Sequence, residues 1–326
     1  MYPRFNPDLP FVKADYKGVP LKDGRYTNEH PHPFPGFGDI LRWQLGSNPQ
    51  KQEKKADDFR VPTQSDHSFF DAQADVIVWL GHASFFIRLQ GVNFITDPCL
   101  RDLPMIPRLA KLPFGIEQIR NIDYILMSHG HRDHFDVDSL KVILKNNPQA
   151  EFLAPLRLGK LIEGLGHKLY QEAGWYQSFQ ETRELDIHFL PAKHWNRRFL
   201  TDTNTMLWGS FYLSNGSKNL YFAGDSGYAQ HFADIGELYP ELDLCLMPVG
   251  AYKPSFIMEH SHTSPSEAVQ AFHDLGAKRF IPMHYGTYDL SDEPIGEPVR
   301  ILRKLQKEQK IKGEYLELGL GEAYSW

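Results

Sequence analysis

The sequence has little of what several protein classes require. Only two of its 326 residues are cysteine, and Cys99 and Cys245 are far apart without CxxC spacing, which argues against a disulfide framework and a thiolate metal site. The formal net charge is -6, so the broad cationic surface of a nucleic-acid binder is missing. The longest apolar runs are far shorter than the ~20 residues that cross a bilayer. We therefore expect a cytoplasmic protein without nucleic-acid partners or membrane spans, and we see no export signal at the N-terminus.

Two parts of the chain differ in pattern. Residues 1–72 are rich in proline, glycine and charge and predict an irregular N-terminal extension packed on the main domain, with a proline-rich stretch and short helix over 32–45. From residue 73 to 326, short apolar strands alternate with helical patterns. Helices outside two inner sheets predict an α/β fold, a four-layer αβ/βα sandwich.

Apolar runs and capping residues give approximate boundaries within the main domain. Strands are predicted at 76–80, 84–88, 93–96, 124–128, 151–154, 186–191, 205–213, 219–223, 242–248 and 279–282. Helices are predicted at 138–145, 156–165, 264–275 and 297–309.

The strongest motif follows an apolar strand, where residues 122–135 read IDYILMSHGHRDHF. Four potential metal ligands lie within six residues: His129, His131, Asp133 and His134. Imidazole and carboxylate suit a borderline ion such as Zn²⁺, and a turn after a strand can bring alternate side chains together. A solvated polar loop is the alternative, and the density of ligands after a buried strand argues against it.

Three more ligand-type residues, His194, Asp225 and His284, each follow a short apolar strand. Alone, each is more often a hydrogen-bonded structural residue. Strand ends at one edge of a sandwich converge, however, and a dinuclear site needs about seven ligands with one bridging carboxylate. Asp225 can supply that bridge.

The spacing HGHRDH resembles the HxHxDH signature of the metallo-β-lactamase superfamily. The resemblance implies two zinc ions, with iron or manganese as alternatives, held by these residues: His129, His131 and His194 for one ion, Asp133, His134 and His284 for the other, and Asp225 as the bridge. The TDP segment at 96–98 is similar to an early strand-end motif of the family, in which Asp97 would orient a ligand histidine.

Other segments resemble one branch of that superfamily, the N-acyl phosphatidylethanolamine phospholipases D. They are WLGHASFFI (79–87), PAKHWNRR (191–198), LWGSF (207–211), AGDSGY (223–228), HTSPSEA (262–268) and, in the extension, PGFGDILRWQL (35–45). The likeness implies phosphodiester cleavage of phospholipase D type by a metal-bridging hydroxide. Specificity for the lipid substrate of that branch does not follow from the likeness. We expect a phospholipid-like or other small substrate, and the sequence is compatible with peripheral membrane contact and with a homodimer.

Four residues are candidates for substrate binding or proton transfer, and one of them, Asp133, is also a predicted ligand. His262 resembles a substrate-side histidine of the branch, which could protonate a leaving oxygen or bind phosphate, or could instead cap the next helix. Arg197 and Arg198 could clamp a phosphate oxygen or pair with surface acids. Asp133 could share proton transfer with His262. We interpret the remaining histidines as structural, including His82 and His260.

The segment 98–116, PCLRDLPMIPRLAKLPFGI, mixes apolar and basic residues with four prolines. It predicts a loop beside the metals. Its apolar side chains either face a lipid between cations such as Arg101, Arg108 and Lys111, or are buried with the charges outward.

Other functions stay open at this level. A hydrolase of a lactone, thioester or β-lactam would use the same ions to polarise a carbonyl, although Asp225 stands where dizinc β-lactamases typically carry cysteine. His131 replaces the glutamate of di-iron oxygen reductases, and the interval from Asp225 to His284 is too short for the inserted domain of nucleic-acid-processing relatives. The alternative of another class is a non-catalytic metal-binding module, but such proteins usually lose ligands and all seven are present.

Overall fold

The computed structural model describes residues 2–30 and 35–326, without the side chain of Phe37. The strands are β1 (Leu21–Lys22), β2 (Arg25–Tyr26), β3 (Val76–Gly81), β4 (Ser84–Leu89), β5 (Val92–Thr96), β6 (Tyr124–Leu126), β7 (Glu151–Pro155), β8 (Tyr170–Ala173), β9 (Gln177–Ser178), β10 (Asp186–Leu190), β11 (Ser210–Ser214), β12 (Asn219–Phe222), β13 (Leu244–Pro248), β14 (Arg279–Met283), β15 (Glu314–Tyr315) and β16 (Ala323–Ser325). The helices are α1 (Phe37–Leu45), α2 (Lys51–Ala56), α3 (Val137–Asn146), α4 (Gly159–Glu163), α5 (His231–Leu238), α6 (Ser255–Met258), α7 (Pro265–Asp274) and α8 (Glu297–Lys307).

Two seven-stranded sheets form the centre of the described part of the chain. The first sheet has the order β16-β3-β4-β5-β6-β7-β8, and the second has the order β15-β14-β13-β12-β11-β10-β9. In each sheet an antiparallel portion passes into a parallel one, at β5–β6 and at β12–β13. Because β10 and β12 are both antiparallel to β11, the strands β10, β12, β13 and β14 run in one direction and end at one edge of the second sheet.

Side-chain alternation along the strands explains the layers. On β3, Ile77 and Trp79 belong to the apolar cluster that includes inward residues of the second sheet, whereas Val78 and Leu80 belong to a separate cluster with Leu140 of α3. Successive side chains of a strand point to opposite faces, so the first sheet is covered by the second sheet on one side and by α3 and α4 on the other. Helices α5, α7 and α8 contribute apolar residues to the cluster of the second sheet. The predicted four-layer αβ/βα sandwich is confirmed.

Most predicted elements of the main domain are present with small shifts of their ends, but the strand predicted at 205–213 begins only at Ser210. Residues 205–209 are buried or half-buried without joining a ladder. Their backbone groups form single hydrogen bonds with other parts of the chain instead. The Leu207 N–H donates to the Leu156 carbonyl and the Gly209 N–H donates to the Ser128 carbonyl, both at 3.0 Å. The apolar pattern of residues 205–209 therefore indicated burial and not a strand, and the prediction of a strand was wrong for these residues.

The N-terminal residues contribute to the main core. Leu9, Val19, Tyr26 and Val61 are buried in the same apolar cluster as the two sheets. Helix α1 begins at Phe37, within the predicted 32–45 stretch, of which residues 32–34 lie outside the described residues. The short charged helix α2 was not predicted from the sequence. None of the helices in the described ranges is long and apolar enough to span a bilayer.

The 98–116 loop is largely built into the protein. Leu103 and Phe114 are buried, and so is Arg108, whose guanidinium donates to the carbonyls of Cys99 and Ala110, both at 2.7 Å. Both alternatives for this loop placed the charge of Arg108 at the surface, and this is wrong. The two carbonyls have no partner in a β-sheet, and buried Arg108 provides their hydrogen bonds. Met105, in contrast, is 100% exposed.

Candidate metal centre

The seven predicted ligands meet at one edge of the sandwich, each just beyond a strand. His129, His131, Asp133 and His134 follow β6 of the first sheet, and His194, Asp225 and His284 follow β10, β12 and β14 of the second. The two edges approach closely at Gly224, where a Cβ would lie 2.6 Å from the Ser128 Cβ. Only glycine fits this approach, and its φ of +58° is one that glycine adopts at little cost.

The first ligand group consists of three imidazoles. The Nδ1 of His131 lies 2.9 Å from Nε2 of His129 and 3.2 Å from Nε2 of His194. Mutual approach of three imidazole nitrogens is the arrangement that a single metal ion requires.

The second group combines a carboxylate with two imidazoles. Asp133 Oδ2 lies 3.6 Å from Nε2 of His134 and 3.8 Å from Nε2 of His284. A fourth residue, His82, adds its Nε2 at 3.1 Å from the same oxygen. Ligand atoms of these four residues all lie within 4.8 Å of one another.

Asp225 stands between the two groups. Its Oδ2 is 3.1 Å from His134 Nε2 and 4.0 Å from the Nε2 atoms of both His129 and His194, and its Oδ1 is 3.2 Å from His284 Nε2. One carboxylate thus faces histidines of both groups, as a bridging ligand must.

Hydrogen bonds on Nδ1 determine which nitrogen His134 and His194 present to the centre. Asp97 Oδ2 accepts a bond of 2.8 Å from His134 Nδ1, and Asp97 Oδ1 accepts one of 2.7 Å from the Ser128 backbone. Asp97 is thus hydrogen-bonded to a predicted ligand histidine, as its expected orienting role requires. In the first group, His194 Nδ1 donates to the Ser261 carbonyl at 2.9 Å. In both cases the bond on Nδ1 leaves Nε2 as the nitrogen that faces the centre.

The charges of the centre suit a divalent cation. Burial lowers the pKa of His129 and His194 well below the ordinary value and that of His131 to about 4, which keeps them in the neutral form that binds metal. Burial acts to raise the pKa of Asp225, but His134 and His284 outweigh it and hold the carboxyl ionised. Against the lowering effect of burial, Asp225 in turn raises the pKa of His134 well above its ordinary value and that of His284 to about 9, so an ion bound at these two imidazoles would displace their protons. Among the described residues, His134 Nε2, His284 Nε2 and Asp225 Oδ1 are buried without a hydrogen-bond partner. A cation would satisfy all three atoms.

Comparisons with known proteins show the family to which the chain belongs. Residues 92–285 match the family described as Beta-lactamase superfamily domain. The chain belongs to the metallo-β-lactamase superfamily. It is a metal-dependent hydrolase of that superfamily, with His and Asp clusters able to hold metal.

Individual members of the superfamily resemble the chain over most of its length. It is 30% identical over 334 residues to N-acyl-phosphatidylethanolamine-hydrolyzing phospholipase D 1 of Caenorhabditis elegans, covering 94% of each protein. It is 29% identical over 251 residues to a UPF0173 metal-dependent hydrolase of Methanopyrus kandleri, covering 76% of this chain and 98% of that one. Among solved structures, the metallo hydrolase Igni18 of Ignicoccus hospitalis aligns with a TM-score of 0.61 at 20% identity, covering 78% of this chain and 98% of that one.

His262 lies beside the predicted ligand Asp225 and is partly open to solvent. Its Nδ1 is 3.8 Å from Asp225 Oδ2, and 13% of its side chain is exposed. Burial lowers its pKa to about 4. The alternative that His262 caps α7 is wrong, because Ser264 is the N-cap and forms a capping box with Glu267.

The two candidate arginines occupy different places. Arg198 is half-buried, and its Nη1 donates to the carbonyls of Gly130 and Phe135 at 3.1 and 3.0 Å. These bonds stabilise the turn that carries four of the predicted ligands. Arg197 is exposed, with its guanidinium 5.3 Å from the centre of the Trp195 ring.

The sequence predicted a structural role for His82, and the structure places its side chain in contact with the second ligand group. A signal was present, because His82 directly follows the apolar strand β3, as the predicted ligands follow their strands. Asn196, whose Oδ1 accepts from the Gly130 backbone at 2.9 Å, was also missed. A single asparagine carries no pattern that would have identified it.

Proposed function

We propose that this chain is a dinuclear metal-dependent phosphodiesterase of phospholipase D type that uses two zinc ions. The observation that carries the proposal is the position of Asp225 between two separate ligand groups. His129, His131 and His194 would hold one ion, Asp133, His134 and His284 the other, and Asp225 both. Two ions at such a site lower the pKa of a shared water and neutralise charge on attacking and leaving oxygens.

The chain's own residues would orient the phosphodiester and handle protons. His262 turns Nδ1 toward Asp225, which leaves Nε2 to approach a substrate oxygen. Its depressed pKa makes it neutral at pH 7, so it would first donate a hydrogen bond from the imidazole, and a phosphate anion beside it would then favour proton uptake. Asp133 keeps 20% of its side chain exposed, so it can share proton transfer. Arg197 is the arginine whose guanidinium lies at the surface and can move to a phosphate oxygen.

A cavity of about 490 Å³ adjoins His262 and offers room for the rest of a substrate. It is lined by Asn48 and Gln50 from the N-terminal segment and by Tyr252, Lys253 and Glu259 of the main domain. The volume lies in the range of small-molecule sites. The name of the Caenorhabditis elegans relative supports a phospholipid-like substrate that meets the protein at a membrane surface.

The proposal also assigns a role to each of the two parts of the chain. Residues 73–326 would be the catalytic domain, and residues 1–72 would complete its cavity. Cys99 and Cys245 are free and buried, which suits a reducing compartment such as the cytoplasm.

Metal analysis tests the dinuclear site. We expect two equivalents of zinc per chain in the purified protein. Asp225→Ala should retain at most one weakly held ion and lose activity, because the bridge serves both groups. Two retained ions with normal turnover in Asp225→Ala would show that Asp225 is not the bridge.

An activity screen tests the substrate class. We expect hydrolysis of bis(p-nitrophenyl) phosphate and of N-acyl phosphatidylethanolamine, with release of phosphatidic acid. Hydrolysis of lactones or thioesters without either phosphodiester would reject the phospholipase D assignment. A verified two-metal sample without any hydrolytic activity would instead support a non-catalytic role.

A further inference from the structure

His82 lies at the turn between β3 and β4, against the second ligand group. Its side chain is buried, and its Nε2 is 3.1 Å from Asp133 Oδ2. Its ring lies over that of His284, with the two centroids 3.9 Å apart and the planes inclined at 38°. The imidazole thus contacts two residues of the same group, one by a hydrogen bond and the other by ring packing.

The backbone of His82 is tied to the same region. Its N–H donates to Thr287 Oγ1 at 2.8 Å, and its carbonyl accepts from the His284 backbone N–H and from Trp79 Nε1, both at 3.0 Å. These bonds hold His82 at a φ of +55°, a left-handed conformation that is uncommon outside glycine. The turn is therefore fixed in a conformation that aims the imidazole at Asp133.

We propose that His82 is a positioning residue for the second metal position. The Nε2–H group donates to Asp133 and sets the carboxylate orientation, while the ring and the carbonyl hold His284 in place. The inference rests on the proposed function, since it assumes that Asp133, His134 and His284 bind an ion. It adds that this ion depends on His82, whereas the ion of His129, His131 and His194 does not.

Three substitutions separate the contributions of His82. His82→Phe keeps a ring against His284 but has no N–H. His82→Asn suits the left-handed backbone but has an amide too short to reach Asp133. His82→Gln has an amide nitrogen at about the reach of Nε2. As a matched control, His167→Phe replaces another buried histidine, which bonds to the Ala150 carbonyl at 2.7 Å away from the centre.

The measurements are zinc stoichiometry, the two dissociation constants from chelator competition, and the absorption spectrum of the Co²⁺-substituted protein. In His82→Phe and His82→Asn we expect the second ion to bind about 10- to 100-fold more weakly, as when an orienting partner is removed, with the first ion unchanged. His82→Gln should recover most of the affinity and the Co²⁺ spectrum. His167→Phe should retain both ions, whatever its thermal stability.

The outcomes distinguish the two proposals. If the wild-type protein binds two ions and His82→Phe and His82→Asn bind both with unchanged affinity, His82 has no positioning role and the dinuclear site stands. Equal loss of the second ion in all three variants, including His82→Gln, would make His82 a direct ligand and overturn the positioning role. A wild-type protein that binds only one ion would overturn the dinuclear site itself.

Discussion

Asn28 holds both backbone groups of His194. Its Nδ2 donates to the His194 carbonyl at 3.0 Å, and its Oδ1 accepts from the His194 N–H at 3.2 Å. The same Oδ1 accepts from Trp208 Nε1 at 3.2 Å. A buried side chain of the N-terminal segment therefore fixes the backbone of a predicted metal ligand that is 166 residues away in the chain.

Asn28→Ala should weaken the ion of the first group. Without the amide, the two backbone groups of His194 lose their partners in a buried place, and Nε2 loses its fixed position. We expect about a 10- to 100-fold loss of affinity for that ion, measured by chelator competition. Asn146→Ala, at an exposed bond to the Glu117 carbonyl, is the control and should bind both ions normally. Equal affinities in the two variants would contradict the role of Asn28.

Asp97 should act through His134 and not through the fold alone. Asp97→Asn keeps an oxygen that can accept from the Ser128 backbone, but an amide nitrogen then faces His134 Nδ1. We expect this variant to fold, with metal affinity reduced about 10- to 100-fold. Asp97→Ala should lose both bonds and also thermal stability. Wild-type metal affinity in both variants would show that Asp97 does not orient His134 for metal binding and only stabilises the turn.

The 98–116 loop offers a paired test of lipid contact. Met105 is fully exposed, whereas Leu109 is half-buried and its N–H bonds to the Thr287 carbonyl at 2.8 Å. Met105→Ser should raise KM for long-chain phospholipid and leave bis(p-nitrophenyl) phosphate hydrolysis unchanged. Leu109→Ser should cost about 1–2 kcal/mol of stability and lower the melting temperature. An unchanged KM for phospholipid in Met105→Ser would show that Met105 does not contact lipid.

A carboxylate after α2 joins the N-terminal segment to α8. Asp57 accepts bonds of 3.0 and 2.7 Å from Arg300 and one of 2.9 Å from the Gly296 backbone. The hydrogen bonds from Arg300 lower the pKa of Asp57 to about 2 from 3.8. A depressed carboxyl pKa stabilises the folded state above the unfolded pKa, and this contribution is lost as pH falls from about 4 toward 2.

Asp57→Asn should therefore destabilise the protein by about 1–2 kcal/mol at pH 7, a value discounted for the half-exposed Arg300. The difference from wild type should narrow as urea unfolding is repeated from pH 5 down to pH 3. Asp58→Asn, at the exposed neighbouring position, should change stability little at any pH. A constant difference across the range would mean that the ionised carboxylate is not what stabilises the contact.

The predictability of the centre depends on how its residues are distributed along the chain. His129 to His134 could be predicted because four ligands follow one strand, and Asp225 because it repeats the same strand-end position. Asn28 could not, since its contact with His194 is made only by tertiary folding. Similarly, the two-residue strands β9 and β15 are too short for any periodicity. The burial of Arg108 could not be predicted, because a charged side chain is normally expected at the surface. The carbonyls to which it donates come together only in the folded loop.

Each ligand group draws on both halves of the sandwich. In the first group, His129 and His131 follow a strand of the first sheet and His194 follows a strand of the second. In the second group, His134 follows a strand of the first sheet and His284 a strand of the second. A bound ion would therefore act as a cross-link between the halves. Binding to the folded state alone adds about 1.4 kcal/mol of stability for each tenfold excess of free metal over Kd. Metal scarcity in a cell would then shorten the lifetime of the chain itself, so that the amount of this enzyme, and not only its turnover, would follow the metal supply.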